Sequence, residues 1–130
     1  MKTIILHQVN CLGVMNAGFA AYVRRKFPQC FKGYRQFCRG TENLLGKVYI
    51  YETEKYIILN MFSQNYYGRT GLYTDYEAME TALQYIRSIY PTETITAPHY
   101  IGCGLGGGDW NIVSKILEKY NITTSREIHF

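Results

Sequence analysis

The sequence has no CxxC pair, and its four cysteines (Cys11, Cys30, Cys38, Cys103) fall at no zinc-ligand spacing. Spacing therefore argues against a structural zinc finger, and no metal or other cofactor is expected. Nor is there an apolar run near the roughly 20 residues that span a bilayer. The one N-terminal candidate, Thr3–Leu6, stops at His7-Gln8, short of a signal-peptide core, and no small-residue cleavage site follows cleanly. A cytoplasmic protein with reduced thiols and no membrane partner is the expectation. Internal repeats, low-complexity tracts and interdomain linkers are also missing, so residues 1–130 read as a single domain. Charge is scarce in net terms: 14 Lys and Arg against 10 Asp and Glu leave +4. That suits an anionic ligand but is too small to demand nucleic acid, which is not an expected partner.

What the chain does have is glycine in one place. Gly102 to Gly108 holds five glycines in seven residues, between an apolar run (Ile95–Tyr100) and a helix-like one (Asn111–Tyr120). Glycine at that density is costly in chain entropy, so a folded protein keeps it where backbone must approach something closely. A strand that feeds such a turn and then a helix aims N–H groups and a positive helix end at one point, which suits a phosphate. Thirteen tyrosines are the other excess, and packing with a wet tip accounts for most of them.

Along the chain, Thr3–Val9 is an apolar, β-branched run fit for a buried strand. Its end, His7 to Asn10, leads into a loop with Gly13, Asn16 and Gly18, then a helix over Phe19–Phe27. Pro28 opens a second helix, Gln29–Cys38. Lys47–Tyr51 and Tyr56–Met61 read as a hairpin, and Phe62–Gly71 as a third glycine-containing loop. Thr74 with Glu77 has the spacing of a capping box for a helix to about Tyr90. A last strand is expected over Ser125–Phe130. Alternating strands and helices predict an α/β fold with helices on both faces of a largely parallel or mixed sheet. In such sheets ligands lie beyond the carboxyl ends of strands, so Asn10–Gly18, Ser63–Gly71 and Gly102–Asp109 should converge on one cleft.

Gly102-x-Gly104-x-x-Gly107 also matches the dinucleotide fingerprint, with Glu127 at roughly the distance of its ribose-binding acid. Five neighbouring glycines produce such a match easily, and no room follows for a second mononucleotide half. That argues against an NAD enzyme.

Several stretches together resemble a known family. They are His7-Gln-Val-Asn-Cys-Leu-Gly-Val-Met-Asn-Ala-Gly-Phe-Ala20, Lys26-Phe-Pro28, Leu45-Gly-Lys47, Asn60-Met-Phe62 with Gln64, and Ile101-Gly-Cys-Gly-Leu-Gly-Gly-Gly-Asp-Trp110. In order and over nearly the whole chain, they resemble macro domains, in particular the small microbial and phage branch processing ADP-ribose-1''-phosphate and the yeast-type phosphatase. The resemblance implies a three-layer α/β/α fold with a mixed central sheet and a cleft for ADP-ribose or a derivative. It implies ligand contacts from Gly13, Val14, Met15, Asn16, Ala17, Gly18, Phe19 and Ala20, from Gln64, and from Gly102, Cys103, Gly104, Leu105, Gly106, Gly107, Gly108 and Asp109. Asn10 matches the asparagine that addresses the distal ribose.

Four departures qualify what the resemblance implies. Family members carry an earlier strand and a Gly-Asn or Gly-Asp loop that help hold adenine, and the segment beginning at Thr3 lies beyond them. The sheet is thus expected without its usual first strand, and adenine to be left open, held by Tyr66, Tyr67 or Phe19, or held by another subunit. A homodimer through the unpaired edge is a further expectation. Asn16 stands where glycine is usual. Phe62-Ser-Gln-Asn65 has no lysine where the family's covalent ADP-ribosyl hydrolases place one, and Gly106 stands where its protein glycohydrolases carry an aspartate. Asp109 reads instead as a helix cap. Chemistry then falls to His7 with Asn10, His7 handling water or a proton at the distal ribose. Two readings stay open: release of a 1''-phosphate, or a binding module without turnover. Cys11 and Cys103 lack a basic partner and read as small apolar fillers.

Overall fold

The computed structural model describes residues 1–130. Its elements run β1 (Thr3–Asn10), α1 (Gly18–Lys26), α2 (Pro28–Gly40), β2 (Val48–Glu52), β3 (Tyr56–Gln64), α3 (Tyr76–Ile89), β4 (Ile95–Pro98), α4 (Trp110–Lys119) and β5 (Thr123–Ser125). The strands form one mixed sheet in the order β2-β3-β1-β4-β5, with only β2 antiparallel to its neighbour. β1 is central, paired in parallel with β3 (Ile4↔Ile57) and β4 (Ile4↔Ile95). A strand covered on both faces must be apolar on both, which is why Ile4, Ile5, Leu6 and Val9 are all buried.

Side-chain alternation sorts that strand into two layers. Ile4 and Leu6 join Met79, Leu83, Val113 and Leu117 beneath α3 and α4. Ile5 and Val9 face the other way, toward Val23, Cys30 and Tyr34 of α1 and α2. The result is the expected three-layer α/β/α sandwich. No helix is long and apolar enough to cross a membrane.

Two local expectations are corrected. The cap of α3 is Asp75, whose carboxylate accepts from the Ala78 N–H at 2.9 Å. Thr74 is buried instead and donates to the Gly102 carbonyl at 2.7 Å, so its hydroxyl ties two loops together. A charged oxygen one residue nearer the helix takes the cap. Asp75→Ala should therefore cost about 1 kcal/mol and lower the melting temperature by a few degrees. A thermal melt checks it, and an unchanged midpoint would return the cap to Thr74.

The last strand lies at Thr123–Ser125, not Ser125–Phe130. The β-branched pair Thr123-Thr124 takes the ladder beside β4. The residues after it cross to the α1 side, where Phe130 packs at 4.8 Å from Phe27 and 5.2 Å from Tyr56. Burying two aromatic faces there outweighs extending a short edge strand.

Candidate functional site

Because β1, β3 and β4 are parallel, their carboxyl ends open at one end of the sheet. The loops that follow them, 11–17, 65–75 and 99–109, enclose a cleft of about 560 Å³. That volume is within the range of sites for drug-sized ligands.

The first wall is the N-terminus of α1, where Ala17, Gly18, Phe19 and Ala20 line the cleft. Gly18 takes a positive φ of 58° with open space where a side chain would be. Ala17 at the cap position provides no side-chain acceptor and the first turn holds no acid, whereas Asp75 and Asp109 cap α3 and α4. The first N–H groups of α1 thus reach the cleft with no side chain capping them, and the helix dipole adds to their field.

The loop behind that wall is held by Asn10. Its Oδ1 accepts from the Leu12 N–H at 3.0 Å and from the Tyr34 hydroxyl at 2.9 Å, and its Nδ2 donates to the Val14 carbonyl at 2.9 Å. The ladder slips at this point: Val9 pairs with Phe62 and Asn10 with Gln64, which leaves Ser63 of β3 as the extra residue. Asn10 lines the cleft, yet most of its hydrogen-bonding capacity shapes the loop.

His7 forms part of the floor and is 1% exposed, with the Phe19 ring edge-on at 5.8 Å. Its Nε2 lies 2.7 Å from Asn60 Oδ1, while Asn60 Nδ2 donates to the Tyr49 carbonyl. That arrangement puts the imidazole proton on Nε2 and leaves the Nδ1 lone pair buried without a partner. Burial holds the pKa down at about 4, against the raising effect of the Asn60 bond. At neutral pH His7 is therefore an acceptor and not an acid.

The third wall explains the glycines. A Cβ at Gly107, whose φ is 72°, would lie 2.0 Å from the Gly71 carbonyl oxygen, and one at Gly108 would lie 2.6 Å from that of Gly102. At Gly106 it would meet Thr74 Oγ1 at 2.6 Å, the Gly102 oxygen at 2.8 Å and Gln8 Nε2 at 2.9 Å. The close approach that this glycine density required is in large part to the protein's own backbone and polar side chains. Gly104 alone of the five has nothing within 4 Å, and it lines the cleft with Leu105. An acid has no space at position 106.

Of the residues read from the sequence, His7, Asn10, Val14, Asn16, Ala17, Gly18, Phe19, Ala20, Gln64, Gly102, Gly104, Leu105 and Gly106 line this cleft together. Met15 is 1% exposed in the cluster beneath α2, and Gly13 opens onto a separate hollow. Gly107 and Gly108 serve the loop's own packing, and Asp109 caps α4, accepting from the Asn111 N–H at 2.8 Å. Cys103 packs against the main core, and burial pushes its thiol and that of Cys11 up to about 11, so both stay protonated. Tyr67 lines the cleft while Tyr66 stacks on it at 5.4 Å.

Sequence reading passed over Gln8, which donates to Gln64 Oε1 and Thr74 Oγ1 and accepts from the Ser63 hydroxyl. A polar residue near the mouth end of an otherwise apolar strand was the available signal. Tyr100, at a φ of 63°, also lines the cleft, and nothing in the sequence marks that backbone strain.

Comparisons with known proteins agree with the fold. No family model matches the chain. It is 29% identical to the DNA ADP-ribosyl transferase-DNA ADP-ribosyl glycohydrolase fusion protein of Thermosipho africanus, over 92% of this chain but only 35% of that protein. The chain likewise spans 33% of the mycobacterial DNA ADP-ribosyl glycohydrolases it matches. It is 29% identical to the ADP-ribose 1''-phosphate phosphatase of Lodderomyces elongisporus, over 91% of this chain and 81% of that one. Among solved structures, a macrodomain protein from Streptomyces coelicolor superposes with a TM-score of 0.75 at 27% identity, covering 99% of this chain and 89% of its own.

Proposed function

Because the chain belongs to the macro domain family, we propose that its cleft binds ADP-ribose or a derivative and releases a phosphate from the 1'' position of the distal ribose. The observation that carries the binding half is the uncapped N-terminus of α1 on the cleft, beside the open Gly104 backbone. A diphosphate satisfies those N–H groups and sits at the positive end of the helix without any lysine. Arg69, on the second loop, also lines the cleft and adds a cation at its rim.

For the chemistry, the groups at hand are His7 and the loop that Asn10 holds. His7 lines the cleft floor, and its buried, partnerless Nδ1 is the acceptor we assign to the attacking water or to a ribose hydroxyl. Water oxygen bonds to phosphorus as the bond to the ribosyl oxygen breaks, and one of the water's protons passes to the ribosyl oxygen while the other stays with the phosphate. The products are ADP-ribose and inorganic phosphate. Asn10 acts by fixing the loop and offering its remaining N–H to the ribose.

One observation favours a second reading, a module that binds without turnover. Position 106 has no room for an acid and Phe62–Asn65 has no lysine, so little strong acid–base chemistry surrounds the distal end. Calorimetry with ADP-ribose, beside phosphate release from ADP-ribose 1''-phosphate, separates the two. Binding with turnover supports the phosphatase, binding without product supports the module, and no heat with either compound overturns both.

A further inference from the structure

Behind the first loop lies a second hollow, of about 360 Å³, that the ADP-ribose cleft does not use. Arg24, Arg35 and Arg39 line it, with Phe31 at its base. The Arg24 guanidinium sits 4.0 Å from the Phe31 ring centroid and that of Arg35 5.5 Å from it, so two cations share one ring. Neither ion pair in the chain, Lys2–Glu52 or Lys119–Glu80, involves these arginines. Arg24 donates to Asn16 Oδ1, a neutral partner that leaves its charge uncompensated.

The hollow continues into a wider field. α1 and α2 together carry six Lys and Arg and no acid, and the first acidic residue of the whole chain is Glu42. On α2, Lys32, Arg35 and Arg39 recur at helical spacing on one exposed stripe about 10 Å long. The net charge of +4 hides this because acids elsewhere offset it. Like charges gathered without counter-ions repel one another, and a bound anion relieves that repulsion.

We infer that the α1–α2 face, centred on the Arg24–Arg35–Arg39 hollow, binds the phosphodiester backbone of a nucleic-acid strand. A strand, and not one phosphate, fits a cationic stripe that runs on beyond the hollow. Guanidiniums are suited to bidentate phosphate contacts, and Phe31 is covered by them, so the contact is to backbone and not to bases. The inference stands apart from ADP-ribose binding: the two hollows share only Val14 and Asn16 among their lining residues.

The test is fluorescence anisotropy with a short labelled oligothymidylate, titrated with the full chain at several salt concentrations. Four phosphate contacts, from Arg24, Lys32, Arg35 and Arg39, give a log–log salt slope of about −2.8, about a fiftyfold loss of affinity between about 50 and 200 mM salt. Arg35→Gln/Arg39→Gln should reduce the slope by about 1.4 while leaving the melting temperature and the calorimetric titration with ADP-ribose unchanged. If loss of the Arg35 stem disturbs Phe31, Lys32→Gln/Arg39→Gln gives the same reading without touching that ring. Saturating ADP-ribose should leave oligonucleotide binding intact. Absent binding at low salt, a slope unchanged in both variants, or displacement by ADP-ribose would overturn the inference. So would equal affinity for polyglutamate, which would mark a general polyanion or acidic-peptide surface. Stabilisation by inorganic phosphate with no oligonucleotide binding would give the hollow to a free phosphate instead.

Discussion

Gly107→Ala is expected to be the most damaging single-methyl change in the chain. Its Cβ would overlap the Gly71 carbonyl oxygen at 2.0 Å, in a backbone whose φ of 72° already disfavours any side chain. The conformational part alone is about 1–2 kcal/mol. Relieving the overlap means separating the 65–75 and 99–109 loops, which also strains the bonds from the Tyr73 and Thr74 N–H groups to the Gly106 carbonyl. A total of about 3 kcal/mol or more follows, in the range reserved for strain and lost packing. Since these loops form two walls of the cleft, ADP-ribose binding should fall with stability. Gly104→Ala is the control: with nothing within 4 Å, it should melt within about 0.5 kcal/mol of wild type. Urea unfolding of both variants decides it. Equal midpoints for the two would mean that the loops are not packed through Gly107.

The second large effect is a pH dependence that His7 imposes on stability. Its folded pKa is about 4 against an ordinary 6.5, lowered by burial. Above pH 6.5 the ring is neutral in folded and unfolded chains alike and contributes nothing to the difference. As pH falls below 6.5 the unfolded chain takes up a proton that the folded chain refuses. Stability therefore drops from about pH 6.5 downward and stops dropping below about pH 4. The full loss is about 3 kcal/mol, at 1.36 kcal/mol per pKa unit. His7→Gln, which cannot titrate but can still donate to Asn60, should remove that component, so its denaturation midpoint should fall less between pH 7 and 4 than wild type's. Parallel losses in the two proteins would refute a buried neutral His7. Observation of the His7 ring by NMR provides the same answer directly, with no titration expected until well below pH 6.

The fold was readable because it rests on patterns local in sequence. Thr3–Val9 is apolar on both faces, as a central parallel strand must be, and the turn and cap residues punctuate the elements after it. The convergence of three loops followed once those strands were taken as parallel. Errors came where two neighbours compete for one task. Thr74 and Asp75 both suit a cap, and only the loop packed against Thr74 decides which serves. Thr123-Thr124 and Ser125–Phe130 both suit a strand, and the aromatic cluster around Phe130 takes the latter away.

By itself, then, the sequence determined the sandwich, the place of the cleft at the strand ends, and the glycine and asparagine loops that form it, because period, turn chemistry and caps act over a few residues. Only the tertiary structure decided what each group can do. It buried His7 against Asn60 and so made it a neutral acceptor. It filled the space at Gly106 with Thr74, Gln8 and Gly102, and so left no place for an acid. It brought Arg24 of α1 together with Arg35 and Arg39 of α2 around one hollow, where a net charge of +4 shows nothing. Burial, steric room and the clustering of charge depend on contacts between residues distant in the chain, and no local pattern records them.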